Sequence, residues 1–160
     1  MIILGIDPGT ATTGYGIIKQ KLKRKEEFEI LDFGVITTKK GDNDAARLSV
    51  LADDLNSLLK KFKPDRAGVE RLFFTTNKKT AMTVSQARGV ALLCCRQYGV
   101  PVFEFTPLQV KSTLCGYGKA DKKQVQLMVK QAFGLKSLPK PDDAADALAI
   151  ALCAALIKQS

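Results

Sequence analysis

Asp143 and Asp146 stand three residues apart in a C-terminal segment that is otherwise suited to burial. From Ala144 to Ile157 every residue except Asp146 is apolar, and a spacing of three places two helical side chains on one face. Asp142, at the start of the segment, has an ordinary explanation as the residue that caps the helix. Asp146 lies beyond the reach of capping, so this pair of carboxylates on an apolar helix calls for a chemical role.

Two further carboxylates, Asp7 and Glu70, end short apolar runs that are typical of buried strands. Asp7 closes "MIILGID" and Glu70 closes "RAGVE". A charge at the end of an interior strand is costly unless something compensates it. If these two strands are neighbours and the C-terminal helix packs across their ends, both carboxylates meet the helical pair at one place.

Four carboxylates in one place repel one another, and this repulsion predicts a metal site. Each pair of charges about 4 Å apart costs about 4 kcal/mol at an effective dielectric constant of 20, which exceeds the benefit of any helix cap. The chain has no histidine, and a set of oxygen ligands alone favours Mg²⁺, with Mn²⁺ as a substitute, over zinc. Two such ions stabilise the attacking and leaving oxygens when a phosphodiester is hydrolysed, so the pattern predicts a metal-dependent nuclease.

The composition agrees with a nucleic-acid substrate. Lys and Arg number 25 against 16 Asp and Glu, for a net charge of +9, and such a surface attracts polyanions. The four cysteines show no CxxC spacing, which argues against a zinc site and favours a reducing, cytoplasmic location. No apolar run reaches the roughly 18 residues of a membrane span, so we expect no membrane partner. The 160 residues suit one domain, residues 1–160.

Periodicity predicts an α/β protein with five strands. The order is three strands in succession, then helix, strand, helix, strand and further helices, which favours a mixed sheet. Its first three strands are antiparallel, βα units follow, and helices flank both faces. A long helix from Asn77 to Tyr98 is apolar nearly all round, which indicates burial within the monomer or a dimer interface. The predicted strands are residues 1–7, 15–19, 28–37, 66–70 and 100–105.

Five stretches of the chain together resemble the RuvC family of Holliday-junction resolvases. They are "GIDPGTATTGYGII", "GVERLFF", "SQARGVAL", "TPLQVKSTLCGYGKADKKQVQ" and "PDDAADALAIAL". The resemblance implies a ribonuclease-H-like fold, a homodimer, and Mg²⁺-dependent cutting of four-way DNA junctions in two strands of like polarity, during homologous recombination and DNA repair. It also implies a branch-migration motor complex as a partner. By position, the family's catalytic, metal-binding tetrad falls on Asp7, Glu70, Asp143 and Asp146.

The same resemblance assigns DNA contacts. Phe73 matches the position whose ring enters the junction and stacks on a base, and such stacking contributes about 1–3 kcal/mol per base. Lys111 and Lys122 match basic positions close to the metals and the scissile phosphate. Five further basic residues are candidates for contacts with the DNA backbone: Lys78, Lys79, Arg88, Lys119 and Lys123.

Three alternatives remain open at this point. "DPGT" between two strands also resembles the phosphate-binding hairpin of actin-like and sugar-kinase ATPases, although 160 residues cannot supply the two domains that those enzymes need. A related ribonuclease-H-like nuclease would share the fold and the metals, and would act on another branched or hybrid substrate. A DNA-binding module without activity would have no reason to gather negative charge opposite DNA.

Overall fold

Five strands form one mixed sheet in the part of the chain that the computed structural model describes, residues 1–9, 11–21, 27–71 and 78–157. They are β1 (Ile2–Asp7), β2 (Thr12–Gln20), β3 (Phe28–Thr37), β4 (Arg66–Glu70) and β5 (Val102–Phe105). The order across the sheet is β3-β2-β1-β4-β5. The first three strands pair antiparallel, and β4 and β5 add in parallel. The predicted mixed sheet is therefore confirmed.

Helices cover both faces of this sheet, as predicted. They are α1 (Asp44–Phe62), α2 (Lys78–Gln97), α3 (Pro107–Cys115), α4 (Lys122–Ala132) and α5 (Asp142–Leu156). Leucines of α1 and small residues of α2 pack on one face, while α3, α4 and α5 form a second core on the other. None of the helices in the described ranges is long and apolar enough to cross a bilayer.

The start of α5 differs from the prediction made from the sequence. Asp142 does not cap the helix: Pro141 is the N-cap residue and no side chain bonds the first turn. Asp142 is already the first helical residue, so it does not occupy the cap position. It accepts a hydrogen bond of 3.0 Å from Lys140 Nζ instead. At α1, by contrast, Asn43 is the N-cap residue, and its side chain accepts a hydrogen bond from Ala46 N at 2.8 Å.

The backbone of α5 lies almost directly on the backbones of β1 and β2. A methyl group built on Gly5 would lie 2.0 Å from the carbonyl oxygen of Ala147, and one on Gly14 would lie 2.0 Å from that of Asp143. No side chain larger than hydrogen fits at either position. The glycines on the strands and the alanines on the helix are therefore matched, and this close approach carries the acidic start of α5 to the end of β1.

Only one face of α2 is covered by the rest of the described chain. Cys94 and Cys95 are buried on that face, and burial raises the pKa of the Cys95 thiol to about 12. Met82 and Leu93 are 67% and 57% exposed on the helix. The helix therefore keeps an apolar surface that could meet another protein chain.

Arg66, at the start of β4, holds the other end of α5. It is buried, and its Nη1 donates to the carbonyl oxygens of Ala154 at 3.1 Å and Ile157 at 3.2 Å. Its guanidinium carbon lies 5.4 Å from the centre of the Phe103 ring. The last carbonyls of a helix have no partner within the helix, so this arginine satisfies groups that would otherwise be buried without a hydrogen bond.

Replacing Arg66 with methionine should therefore lower the free energy of unfolding by about 2–3 kcal/mol, because buried carbonyls lose a charged donor. Methionine keeps most of the apolar volume, so the loss reports chiefly on hydrogen bonding. Arg96→Met on the exposed end of α2 is the control and should change stability by less than about 0.5 kcal/mol. Denaturant unfolding measures both, and equal effects of the two substitutions would contradict this role of Arg66.

Candidate active site

Asp7 and Glu70 lie side by side because β1 and β4 are parallel neighbours. The register pairs Ile6 with Val69, so the next residue of each strand emerges at the same edge of the sheet. The two carboxyl groups share a hydrogen bond. Burial raises the pKa of Glu70, although the bond with Asp7 opposes this rise. The two strand-end carboxylates are thus brought together as the sequence predicts.

The first turns of α5 add the remaining two carboxylates. One oxygen each from Asp7, Asp143 and Asp146 can be chosen so that all three lie within 4.8 Å of one another. Asp143 and Asp146 face the sheet edge together because they are three positions apart on the helix and so share one face. The four residues selected from the sequence therefore form one acidic cluster at the end of β1 and β4.

The electrostatics of the cluster fit a divalent cation. Burial, followed by repulsion from Glu70, Asp146 and Asp143, raises the pKa of Asp7 to about 8. Burial also raises the pKa of Asp146, against the opposing effect of Lys122. A buried carboxyl that holds its proton near neutral pH shows that the described residues leave the negative charge incompletely compensated. Carboxylate oxygens within 4.8 Å are the donors that hard cations such as Mg²⁺ and Mn²⁺ take.

Lys122 is in direct contact with the cluster. Its Nζ donates to Asp146 Oδ2 at 3.0 Å and lies 3.5 Å from Asp142 Oδ2. Partial burial would lower the pKa of Lys122, but the bond and attraction to Asp146, with a smaller effect of Asp142, raise it overall. Its side chain is 53% exposed. Lys122 can therefore exchange this carboxylate for another anion that enters the site.

A cavity of about 170 Å³ opens beside the acidic cluster. Glu70 and Asp146 lie on one side of it, and Lys111 and Lys122 contribute its positive charge. Its walls combine these four charged residues with an apolar surface from α3, α4 and α5: Pro107, Val110, Val125, Ala149 and Ile150. The predicted basic pair thus lines the same cavity as two of the predicted carboxylates.

The other predicted DNA contacts are distributed differently. Arg88 is bound within the chain, since its Nε donates to Glu104 Oε1 at 2.7 Å and its Nη2 also contacts that oxygen. Lys119 and Lys123 are exposed around the start of α4. Three of the candidates lie outside what the structure describes, namely Phe73 and the side chains of Lys78 and Lys79.

Thr12 belongs to the site although the sequence did not single it out. Its hydroxyl donates a hydrogen bond of 2.7 Å to Asp143 Oδ2. Thr12 opens β2, which begins earlier than the predicted Tyr15, because "TTG" continues the ladder to β3 instead of forming a turn. The register of the structure explains its position: Asp7 pairs with Gly14, so Thr12 extends past the end of β1.

Replacing Thr12 with valine should slow phosphodiester cleavage and weaken metal binding by about 10-fold, because residues that orient metal ligands typically have effects of this size. Thr12→Ser keeps the hydroxyl and should stay near the parent protein. Thr37→Val, on the neighbouring exposed position of β3, controls for the loss of a threonine in the sheet. Cleavage rate and Mn²⁺ affinity are the measurements. If the valine and serine variants behave alike, the hydroxyl does not position Asp143.

Comparisons with known proteins find similar sequences and structures over nearly the whole chain. The family model described as crossover junction endodeoxyribonuclease RuvC matches residues 3–154. A crossover junction endodeoxyribonuclease RuvC from Clostridioides difficile is 52% identical over 153 residues, covering 96% of this chain and 89% of that protein. The Thermus thermophilus RuvC structure superposes with a TM-score of 0.89 at 36% identity, covering 96% of this chain and 92% of that one. A second structure of it, in complex with a Holliday junction substrate, gives the same values.

The superposition on the Thermus thermophilus structure confirms the predicted ribonuclease-H-like fold. The likeness in sequence runs from within β1 nearly to the end of α5, and so includes Asp7, Glu70, Asp143 and Asp146. The chain therefore belongs to the RuvC family of crossover junction endodeoxyribonucleases.

Proposed function

We propose that this protein is a structure-specific endonuclease that resolves four-way (Holliday) DNA junctions in homologous recombination and DNA repair, acting in the cytoplasm as one nuclease domain, residues 1–160. The observation that carries the proposal is the convergence of Asp7, Asp143 and Asp146 within 4.8 Å, with Glu70 bonded to Asp7, in a chain of the RuvC family. The reaction is hydrolysis of one phosphodiester in each of two strands of like polarity.

The acidic cluster is the proposed metal site. Asp7, Glu70, Asp143 and Asp146 would hold two Mg²⁺ ions, with Mn²⁺ as a substitute. When bound, such ions stabilise the negative charge that builds up on the attacking and leaving oxygens of the displacement. Thr12 keeps Asp143 in position through its hydroxyl.

The two lysines of the cavity are suited to bind the phosphate that is cut. Lys122 reaches Asp146 from the start of α4, and Lys111 lines the same cavity from α3. A phosphate beside the cluster would meet two positive charges from different helices, which orient it without reading the base sequence. Phe73 is proposed, from the family resemblance, to stack on a base at the opened crossover. Lys78, Lys79, Arg88, Lys119 and Lys123 are proposed as backbone contacts, and Arg88 would have to release Glu104 to make one.

Cutting two strands of like polarity is a task suited to a symmetric dimer. Two identical sites related by a two-fold axis match two strands of the same polarity. The exposed apolar surface of α2 that includes Met82 and Leu93 is the proposed homodimer contact. A branch-migration motor complex is a further proposed partner, on the family resemblance alone.

The deciding experiment uses a synthetic immobile four-way junction with each strand labelled in turn, with and without Mg²⁺. We expect paired, symmetric cuts in two strands of like polarity, only with the metal. Linear duplex and RNA–DNA hybrid of the same sequence are the matched controls and should stay intact. Preferential cutting of the hybrid, or of another branched structure, would instead identify a related nuclease of the same fold. Full turnover in excess chelator would contradict the proposal as a whole.

A further inference from the structure

Two exposed apolar side chains, on and just after the helix α3 that contributes Lys111 to the cavity, have no role in the site so far. Leu108 on α3 is 62% exposed, and Tyr117, in the turn between α3 and α4, is 49% exposed. Leu108 precedes Lys111 by three residues and so shares its face of α3. A methyl group on Gly118 would lie 2.9 Å from Leu108 Cγ, so the turn packs on this leucine. We call Leu108 and Tyr117 the rim pair.

The Tyr117 ring is held in place by α4. Gln124 Nε2 donates to the Tyr117 hydroxyl oxygen at 2.6 Å. The orientation of this amide is fixed, because Gln124 Oε1 accepts from Asp121 N at 2.8 Å and its nitrogen must therefore be the donor. A ring fixed in this way loses little conformational entropy when a ligand covers it.

The charge around the rim pair matches a nucleic-acid strand. Between Pro107 and Gln124 the sole acidic residue is Asp121, whose side chain caps α4. The same segment carries four lysines on or near the cavity: Lys111, Lys119, Lys122 and Lys123. An apolar surface within a lysine-rich segment, of which Lys111 and Lys122 line the cavity, suits a ligand that is anionic along its backbone and apolar on its faces, as a DNA strand is.

We propose that the rim pair is a stacking surface for a nucleobase of the strand being cut, with Tyr117 as the main contact and Leu108 supporting it. This inference rests on the proposed function, and it adds a second site of base stacking on a different element from Phe73. Stacking on the rim pair should tighten junction binding by about 5- to 100-fold, the range expected of one stacked base.

A fluorescence experiment tests the contact directly, because the chain contains no tryptophan. Tyr117→Trp introduces a single reporter. Tyr98→Trp is the matched control, since Tyr98 is 45% exposed and lies beyond the end of α2, ahead of the start of β5. Both proteins also carry Asp7→Asn so that the junction remains uncut. We expect the junction to quench the emission of the first protein strongly and that of the control little. Equal quenching, or none at Tyr117→Trp, would overturn the proposal.

Affinity separates ring stacking from a hydroxyl contact. In the same Asp7→Asn background, Tyr117→Ala should raise the junction dissociation constant about 5- to 100-fold, while Tyr117→Phe should stay within about 3-fold of the parent. If Tyr117→Ala and Tyr117→Phe lose the same affinity for the junction, the hydroxyl contacts a phosphate. If either variant changes the oligomeric state, the ring contacts another protein chain. Either result would overturn base stacking. Junction cleavage by the wild-type protein is measured in parallel. If the wild-type protein does not cut the junction, the proposed function is wrong. If it cuts and Tyr117→Ala binds as tightly as the parent, only the stacking proposal is wrong.

Discussion

We expect Asp7→Asn to reduce the rate of junction cleavage by about 1,000-fold or more, while junction binding stays as tight or becomes tighter. Asparagine keeps the size of the side chain but removes a charged metal ligand, and such a loss is felt mainly in the transition state. Asp7 lies at the centre of the repulsion in the cluster, since Glu70, Asp146 and Asp143 all act on it. When Asp7 is ionised, as it is once a metal displaces its proton, the substitution also removes a negative charge that repels the DNA phosphates.

The control is a carboxylate of the same type away from the cluster. Asp53 is exposed on α1, and Asp53→Asn should cut at the parent rate. Glu70→Gln should behave like Asp7→Asn, because these two side chains share a hydrogen bond at the strand ends. Single-turnover cleavage and equilibrium binding of the same junction separate the two effects. Near-parental cleavage by Asp7→Asn or Glu70→Gln would remove that residue from the catalytic site.

The convergence of the tetrad was predictable because it needs few assumptions. Strand ends can be recognised from Asp7 and Glu70, and the spacing of Asp143 and Asp146 fixes a common helix face. Two assumptions, that β1 lies beside β4 and that α5 packs across their ends, then bring the residues together, and the structure has both. The sequence displays the periodicity directly, and only these two arrangements had to be assumed.

Contacts that depend on how elements pack against one another were not predictable in this way. The bond from Thr12 to Asp143 requires β2 to start within what resembles a turn. The pairing of Arg88 with Glu104 depends on how α2 lies against β5. The missing cap at Asp142 has a smaller origin, since the helix begins at Asp142 itself, one residue earlier than a cap at that position would require.

The free energy of unfolding of the metal-free protein should fall as the pH rises from about 5 to 8. Asp7 has a pKa of about 8 in the folded protein against 3.8 for an unperturbed aspartate. Between these values the folded chain keeps a proton that the unfolded chain has released, so stability is greatest below the unfolded pKa and falls as pH rises. Glu70 and Asp146 shift in the same direction. One pKa unit corresponds to about 1.4 kcal/mol, and we expect a total loss of about 2–4 kcal/mol.

Divalent cations should reverse this loss, because they bind the ionised cluster and displace the proton from Asp7. Stabilisation by Mg²⁺ or Mn²⁺ at constant ionic strength should therefore be small at pH 5 and large at pH 8. The chain has no histidine, the side chain that ordinarily titrates in this window, so the acidic cluster should dominate the pH dependence. Asp7→Asn should flatten the pH dependence and abolish most of the metal effect, whereas Asp53→Asn should keep both. Thermal unfolding across pH, with and without the metal, measures these effects in the parent protein and in both variants. A metal-free stability that is constant or rises towards pH 8 would mean that the carboxylates are not gathered before the metal binds.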